Sequence, residues 1–287
     1  MVYQNTRAQL KKQGLAPSKK LGQNFLVHRH TAEKIVSLAD VSKDDTVIEV
    51  GVGLGALTRP LADAAGQVIG IETDSGLIRL HEQEGDLPEN VHLIHQDILQ
   101  ADFCELVQSS GGRPLQIIAN LPYSISSPFL FKLIEQHQHI DYAVVMLQKE
   151  VALRLLAKSG TKEYGVPTVM MASCAETTML MQVKPEEFHP RPKVDSVVVR
   201  LAFSPSPARV TKLGTIDYPL LKKVVNGAFG QRRKTLLNAL SSTGLLEKSI
   251  MKKCITATGL EPTIRAERLE LEDFVMLARN ISDQKRP

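Results

Sequence analysis

Short apolar segments that alternate with helical segments constrain the fold of this chain more than any other feature. Five such segments are four to six residues long and carry the branched and aromatic side chains typical of buried strands. They are Thr46–Val50, Gln67–Ile71, Val91–Ile94, Leu115–Ala119 and Tyr142–Leu147. Between them lie stretches with helical spacing of apolar residues, around Leu57–Ala65, Gly76–Gln83 and Pro128–Gln136. Strands joined by helical crossovers predict an α/β fold, with helices on both faces of a mostly parallel sheet.

The remaining segments indicate how this sheet is completed and how the C-terminal part of the chain folds. Two further β-rich segments, Thr168–Val183 and Val194–Phe203, are expected to add antiparallel edge strands and bring the sheet to seven strands. Ser204–Pro207 reads as a linker. Helical spacing then returns in Leu220–Leu240, Lys248–Thr258 and Leu271–Ile281. We therefore predict a basic arm at 1–20, an α/β domain at 21–204 and a small helical domain at 208–287.

Composition excludes several classes of protein and favours a polyanionic partner. No apolar run reaches the roughly 18 residues of a membrane span, and the three cysteines lie far apart, without metal-ligand spacing. This predicts a cytoplasmic protein without a metal site. Residues 1–20 carry five basic and no acidic residues, and residues 205–287 carry 15 basic and 8 acidic ones. Residues 21–204 carry 15 basic and 23 acidic residues, so positive charge lies at both ends of the chain. This distribution favours nucleic acid, although a solvated arm and helix face would have the same composition.

A glycine loop and three polar residues come at the ends of four successive predicted strands. Gly51 and Gly53 come after the first strand, where glycine lets the backbone turn tightly and approach a ligand. Glu72, Asp97 and Asn120 end the next three strands. The carboxyl ends of parallel strands form the ligand-binding edge of an open sheet, so we expect these residues to share one site. Taken singly, Asp97 fits a helix cap and Glu72 a solvated strand end equally well.

The loop alone leaves two cofactors open. Residues 51–56 also fit the G-x-G-x-x-A form of the dinucleotide fingerprint, which would make the chain an NAD-dependent oxidoreductase. The acid that precedes the glycines, Glu49, suits the ammonium-bearing tail of S-adenosylmethionine (SAM) better than a pyrophosphate would. Glu72 would accept hydrogen bonds from the ribose hydroxyls, and Asp97 from the adenine amine.

The run Asn120-Leu121-Pro122-Tyr123 favours SAM and points to a base as substrate. Proline stiffens the turn, so that the Asn120 side-chain oxygen and the Leu121 carbonyl present two acceptors beside an aromatic ring. Two acceptors and a stacking face suit the exocyclic amine of adenine or cytosine. By themselves these residues also fit a strand end, a proline turn and a core tyrosine.

Together these motifs resemble the ribosomal RNA adenine dimethyltransferases, in the branch that modifies small-subunit rRNA. The resemblance extends from Gly22 to about Arg268. It rests on the runs Gly22–Leu26, Phe188–Ser196 and Phe229–Leu236, together with the glycine loop, Glu72, Asp97-Ile98 and Asn120–Tyr123. It implies a Rossmann-like, SAM-dependent methyltransferase fold with a C-terminal helical RNA-binding domain. The product would be two adjacent adenosines near the 3′ end of small-subunit rRNA, each dimethylated on the 6-amino group.

The resemblance also implies roles for individual residues. The SAM contacts would be Asn24, Leu26, Gly51, Gly53, Glu72, Asp97, Ile98 and Asn120. Asn120 and Leu121 would accept the amine protons, Pro122 would brace the turn, and Tyr123 and Phe188 would clamp the flipped base from both faces. Phe188 also fits a plain core residue. Phosphate contacts are expected from Lys19, Lys20, Arg232, Arg233 and Lys234, the last three in a helical segment of the tail.

The expected partner is small-subunit rRNA, within an immature 30S subunit, and the protein is expected to be a monomer. Two rival interpretations stay open beside the NAD enzyme. One is a large-subunit rRNA methyltransferase of the antibiotic-resistance type, against which the motif Phe229–Leu236 argues. The other is a non-catalytic RNA-binding assembly factor. The chain departs from the family at Ser124, where asparagine is usual, and at His28, where an acid or amide is common.

Overall fold

A computed structural model describes residues 22–285, and they separate into two compact units. The first unit contains the residues up to 152 together with 176–205, and the second contains 153–175 together with the residues from 206 onward. The sequence interpretation placed 153–175 in the first domain, and the structure places this segment with the C-terminal helices instead. The chain thus leaves the first unit, contributes to the second, and returns.

The first unit is an α/β fold built around one large sheet. Its helices are α1 (Arg29–Ala39), α2 (Thr58–Ala64), α3 (Ser75–Glu84), α4 (Phe103–Ser109) and α5 (Ser126–Glu135). Its strands are β1 (Phe25–Leu26), β2 (Thr46–Val50), β3 (Gln67–Glu72), β4 (Val91–His95), β5 (Leu115–Asn120), β6 (Ile140–Gln148), β7 (Glu176–Val183), β8 (Phe188–His189) and β9 (Ser196–Ala202). Seven of these strands form the large sheet in the order β4-β3-β2-β5-β6-β9-β7.

The parallel part of the sheet contains a switch in strand order between β2 and β5. From β2 the chain proceeds outward to β3 and β4, and from β5 it proceeds in the other direction to β6. These pairs are all parallel. The central strands are almost continuously apolar and buried, as expected when helices cover both faces. A crevice opens at the carboxyl ends of strands at such a switch, which fixes where a ligand can bind.

The far end of the sheet is antiparallel, with two differences from the prediction. β9 pairs antiparallel with both β6 and β7, so β9 is an interior strand and β7 alone forms that edge. The predicted strand Thr168–Val183 is also too long at its start. Residues Val166–Ala172 form a helix, and the strand begins at Glu176. Pro167 lies in the first turn and favours this helix. The backbone N–H groups of a first turn have no acceptor within the helix, so the missing N–H of proline costs nothing there.

A second, two-stranded sheet brings distant segments of the first unit together. β1 pairs antiparallel with β8, with Leu26 opposite Phe188 and Phe25 opposite His189. The pairing buries Leu26 and Phe188 in the same apolar cluster, at 1% and 2% exposure. The segment before α1 is therefore held against the first unit by residues more than a hundred positions later in the chain.

The second unit is helical. Its elements are α7 (Val166–Ala172), α8 (Ala208–Leu213), α9 (Tyr218–Phe229), α10 (Leu236–Ser241), α11 (Lys248–Ala257) and α12 (Leu271–Asp283), and the chain enters it within α6 (Lys149–Leu155). The predicted helix Leu220–Leu240 is interrupted by a turn between α9 and α10. No helix within residues 22–285 combines the length and apolar character that a membrane span requires.

Candidate active site

A cavity of about 280 Å³ lies at the carboxyl ends of the parallel strands, at the lower end of the size range of small-molecule sites. It is lined by the segment before α1, the glycine loop and the ends of β3 and β5. Nine of the predicted site residues line it: Asn24, Leu26, Gly51, Gly53, Glu72, Asp97, Ile98, Asn120 and Pro122. Residues from four strand ends thus meet in one crevice, as the sequence pattern predicted.

The Glu72 carboxylate fixes the glycine loop against the end of β3. One oxygen accepts a hydrogen bond from Gly53 N at 3.0 Å, and the other accepts from Thr73 N and Asp74 N at 2.9 Å each. Gly53 has a φ of +58°, and a Cβ there would lie 3.2 Å from the Phe25 ring. Glycine is therefore required at residue 53 both for its backbone conformation and for its close approach to an aromatic side chain.

Glu49, on β2 two residues before Gly51, is a buried carboxyl group without a hydrogen-bond partner in the described part of the chain. Its side chain is fully buried and lines the cavity, and neither carboxyl oxygen has a hydrogen-bond partner among residues 22–285. Burial raises the pKa of Glu49 to about 8; Thr58 opposes this shift, and the negative charge of Glu72, with a smaller effect, adds to it. A cationic group in the cavity would stabilise such a buried acid, because pairing removes the cost of its burial.

Asp97 lies in a turn at the cavity and does not cap a helix, because the next helix begins at Phe103. One Asp97 oxygen accepts from Leu99 N at 2.9 Å, which is a turn-capping bond. The side chain is nevertheless exposed and lines the cavity, next to Ile98 at 4% exposure. A carboxylate accepts several hydrogen bonds, so the cap does not prevent Asp97 from accepting another from a ligand.

The amide of Asn120 is oriented by the segment before α1. Asn120 Nδ2 donates to the Asn24 carbonyl at 3.2 Å, and Asn24 Nδ2 donates in turn to the Gly22 carbonyl at 3.0 Å. Gln23 Nε2 donates to Asp74 Oδ2 at 2.9 Å. These bonds hold residues 22–24 across the cavity between β3 and β5. Because the Asn120 nitrogen donates to Asn24, the side-chain oxygen is the atom that can accept from a ligand. Asn120 is half-buried at the cavity wall and does not lie in the apolar interior.

Tyr123 is anchored by a hydrogen bond that the sequence did not reveal. Its hydroxyl lies 2.6 Å from Ser196 Oγ on β9. Burial raises the pKa of Tyr123, and the hydrogen bond to Ser196 opposes that shift. Neither Tyr123 nor Leu121 lines the cavity; Leu121 is 2% exposed, while Tyr123 is half-buried in a short helical turn after Pro122. The Tyr123 ring is thus fixed at the edge of the site.

Phe188 does not lie where the sequence interpretation put it. Its ring is 2% exposed within the apolar cluster, and it is absent from the cavity lining. The strand pair with Leu26 causes this burial. This position fits the plain core residue that was the alternative for Phe188, and its stacking on a base stays a prediction.

The two departures from the family pattern have identifiable contacts. His28 Nδ1 lies 3.0 Å from Glu187 Oε2, which ties the start of α1 to the turn before β8. A Cβ on Gly22, where φ is +68°, would lie 3.1 Å from Ser124 Oγ. The small side chain of Ser124 thus allows the segment before α1 to pass close to the turn after Pro122.

The predicted phosphate-binding residues fall in two places. Lys19 and Lys20 lie outside the described residues. Arg232, Arg233 and Lys234 are exposed, but they lie in the turn between α9 and α10, not in a helix as predicted. The Arg232 guanidinium donates to the carbonyls of Lys162 and Tyr164 at 2.9 Å each, so it also stabilises the second unit.

The polar groups of the cavity fit SAM better than NAD. Glu49, Glu72 and Asp97 line one cavity, and they suit hydroxyl, amine and ammonium groups. A pyrophosphate would bring two negative charges towards Glu72 and Asp97, which is unfavourable in a partly buried site. Within residues 22–285, no group of three or more histidine, cysteine or acidic side chains has the arrangement of a metal site.

The comparison with known proteins decides the family. A profile described as ribosomal RNA adenine dimethylase matches residues 15–283. The chain is 51% identical over 284 residues to the ribosomal RNA small subunit methyltransferase A of Desulfotalea psychrophila, and the match covers 96% of this chain and 95% of that protein. The chain belongs to the ribosomal RNA adenine dimethylase family. It is therefore a methyltransferase, as the sequence motifs predicted.

Two solved structures resemble this dimethylase over most of its length. A dimethyladenosine transferase from Plasmodium falciparum is 27% identical, with a TM-score of 0.68 and coverage of 88% of this chain and 95% of that one. The 23S rRNA methyltransferase ErmE is 25% identical, with a TM-score of 0.63 and coverage of 90% and 99%. The predicted Rossmann-like methyltransferase fold, with a mostly parallel seven-stranded sheet and C-terminal helices, is confirmed.

Sequence reasoning missed Gln23, Phe25 and Ser196 as site residues of the dimethylase. Gln23 and Phe25 belong to the run Gly22–Leu26, which was identified as a motif, so their place in the cavity lining has a signal in the sequence. Ser196 belongs to the run Phe188–Ser196, but nothing in that run indicates a bond to Tyr123 from another strand.

Proposed function

We propose that this dimethylase transfers methyl groups from SAM to the 6-amino groups of two adjacent adenosines in a 3′-terminal hairpin of small-subunit rRNA. The observation that carries this proposal is the unpartnered Glu49 carboxyl in the same cavity as the oriented Asn120 amide. The acid would anchor the ammonium group of SAM, and the amide oxygen would accept a proton of the adenine amine.

The residues that would hold SAM are those of the cavity lining. Glu49 would pair with the ammonium group, Glu72 would accept from the ribose hydroxyls, and Asp97 would accept from the adenine amine. Asn24, Leu26, Gly51, Gly53, Ile98 and Asn120 complete the predicted set. When bound, SAM supplies a methyl group activated by the positive charge on sulfur.

The protein's task is to orient and activate a poor nucleophile, because the lone pair of an adenine amine is delocalised into the ring. The Asn120 side-chain oxygen and the Leu121 carbonyl would accept the two amine protons. That draws the nitrogen towards tetrahedral geometry and frees its lone pair for attack. Pro122 would hold the two acceptors rigid, and fixed orientation of this kind lowers the barrier.

Tyr123 is the aromatic residue for stacking on the target base. Its hydroxyl bond to Ser196 fixes the ring orientation before the base arrives. A stack of this kind contributes on the order of 1–3 kcal/mol, comparable to the cost of flipping a base out of its helix. Because Phe188 is buried, the second face of the base would need another partner, or a movement of the β1–β8 pair.

Exposed cations would position the RNA. Arg233 and Lys234 are exposed in the second unit, and Lys19 and Lys20 add charge in the basic arm. Contacts of these side chains with phosphates would position the rRNA without reading its sequence. We propose that the enzyme acts as a cytoplasmic monomer on an immature 30S subunit.

Transfer of labelled methyl groups tests this function directly. Purified protein and methyl-labelled SAM are incubated with 30S and 50S subunits from cells that lack the modification. Dimethyladenosine should appear in nuclease-mapped fragments near the 3′ end of the 30S rRNA. Asn120→Ala should transfer on the order of a hundredfold more slowly, because it removes a transition-state acceptor. Label found only in 50S subunits would establish the large-subunit activity named for ErmE instead. Absence of label in every RNA would refute a methyltransferase role for this site.

A further inference from the structure

His81, on the buried face of α3, contacts the backbone of the glycine loop. Its Nε2 lies 2.9 Å from the Gly53 carbonyl oxygen, and its Nδ1 lies 2.8 Å from Asp86 Oδ1. The residue is 4% exposed. Asp86 is itself held by Arg59 on α2, at 2.6 Å. A chain of contacts therefore leads from the start of the cavity loop to a charged pair at the surface of the first unit.

Both partners of the imidazole ring are acceptors. A carbonyl oxygen and a carboxylate oxygen have no proton to donate, so both ring nitrogens must carry one for both hydrogen bonds to form. Only the doubly protonated, positively charged imidazolium ring has two N–H groups. The contacts thus identify the buried His81 as a cation.

The charges around His81 agree with this assignment. Burial lowers the pKa of His81, but the hydrogen bonds to Asp86 and the Gly53 carbonyl and the negative charge of Asp86 raise it by more. Arg59, on α2, opposes them with a smaller effect. Glu72, on β3, bonds to the N–H of the same glycine that His81 holds by its carbonyl. The net result is a pKa above the ordinary value for histidine.

Gly53 is thereby held at both of its peptide groups. The Glu72 carboxylate accepts from its N–H, and the His81 ring donates to its C=O. This residue has a positive φ and lines the cavity. Gly51 N and Gly55 N donate to the carbonyls of Ile71 and Val52. The bond from His81 is thus the one that holds the Gly53 carbonyl among these contacts.

We propose that His81 is a positioning residue whose protonated ring holds the glycine loop in its cofactor-binding shape, so that cofactor affinity falls when the ring loses its proton. The inference rests on the proposed SAM site. On deprotonation the remaining proton stays on Nδ1, because the Asp86 carboxylate is the stronger acceptor. The Nε2 lone pair then faces the lone pairs of the Gly53 carbonyl, and attraction becomes repulsion.

Calorimetric binding of S-adenosylhomocysteine between about pH 6 and about pH 9 tests this inference, because that range spans an elevated histidine pKa. His81→Leu should bind on the order of tenfold more weakly at the lower pH, the cost of losing a charge-assisted hydrogen bond. The affinity ratio between wild type and His81→Leu should shrink as pH rises. His92→Gln, at an exposed position on β4, is the matched control and should behave like the wild type. Titration of the ligand amine or of Glu49 affects all these proteins alike and cancels in the ratio.

Asp86→Asn gives a readout that a purely structural role would not change. Asparagine keeps the shape but removes the charge that favours the imidazolium, so the pH at which affinity falls should move down by about one unit. Nitrogen NMR of the His81 ring in the ligand-free protein should show both nitrogens protonated at the lower pH. A neutral ring at that pH, or a His81→Leu affinity ratio that stays constant with pH, would overturn the inference.

These measurements separate the inference from the proposed function. If the wild type binds S-adenosylhomocysteine tightly while His81→Leu binds it equally well, the positioning role is wrong and the cofactor site stands. If the wild type does not bind the ligand at any pH, the proposed cofactor site is wrong, and the NMR titration still reports whether the ring is a cation.

Discussion

Replacing Glu49 by glutamine should make the protein more stable and a weaker cofactor binder. The carboxyl group is fully buried without a hydrogen-bond partner among the described residues, and its pKa is about 8 in the folded protein against about 4.5 when exposed. Below about pH 4.5 the carboxyl group is protonated in both states, and its burial lowers the free energy of unfolding least. The cost then grows as pH rises towards 8.

The size of the effect comes from the pKa difference. At about 1.36 kcal/mol per pKa unit, the cost at pH 7 is on the order of 3 kcal/mol, and above pH 8 it approaches 5 kcal/mol. Glu49→Gln removes the titration and keeps the volume. The variant should therefore differ little from wild type near pH 5 and exceed it by a few kcal/mol near pH 8.

Urea unfolding at several pH values between about 5 and 8.5 measures this difference, with Glu82→Gln as control because Glu82 is an exposed acid on α3. The same variant should bind SAM about ten- to a hundredfold more weakly, because the ammonium group loses a charged partner. Stability curves of wild type and Glu49→Gln that run parallel across this range would show that Glu49 does not titrate there. The assignment of a buried, unpartnered acid would then be wrong.

Three further predictions concern the base site, the adenine pocket and the RNA surface. Tyr123→Phe and Ser196→Ala should each lower turnover about three- to tenfold. The double variant should be no slower than either, because each change removes the same hydrogen bond, and additive losses would contradict this. Asp97→Ala should weaken SAM binding about tenfold by calorimetry, and unchanged affinity would remove Asp97 from the pocket. Arg233→Gln with Lys234→Gln should reduce the slope of log affinity for rRNA against log salt by about 1 to 2, and an unchanged slope would argue against phosphate contacts.

The sequence predicted the parallel part of the fold well, because its signals are local. Each strand from β2 to β6 coincides with a short apolar run, and parallel topology then places Glu72, Asp97 and Asn120 at one edge of the sheet. Alternation of strands and helices is sufficient for this deduction.

Contacts that depend on distant residues could not be predicted from the sequence. The burial of Phe188 depends on pairing with Leu26, and the anchoring of Tyr123 depends on Ser196. No local pattern indicates either contact. The helix that starts at Val166 was mistaken for a strand because its residues are apolar and partly β-branched, which fits both structures.

The turn around Arg232 had local signals that were overlooked. Gly230 ends α9, and Thr235 caps α10 by accepting from Asn238 N. A glycine with a capping threonine shortly after it commonly marks the end of one helix and the start of the next. The charged run between them therefore belongs to the connection, where its side chains are more exposed than on a packed helix.

The return of the chain to the first unit after residue 175 has a consequence for dissecting this enzyme. Tyr218 OH donates to the Ser173 carbonyl, and Tyr164 OH donates to the Leu269 carbonyl. A fragment that stops at residue 205 keeps the loop 153–175 but loses these anchors and uncovers the apolar side of α7. During synthesis, the ribosome likewise releases this loop before its anchors exist, while β7 and β9 still have to join the sheet.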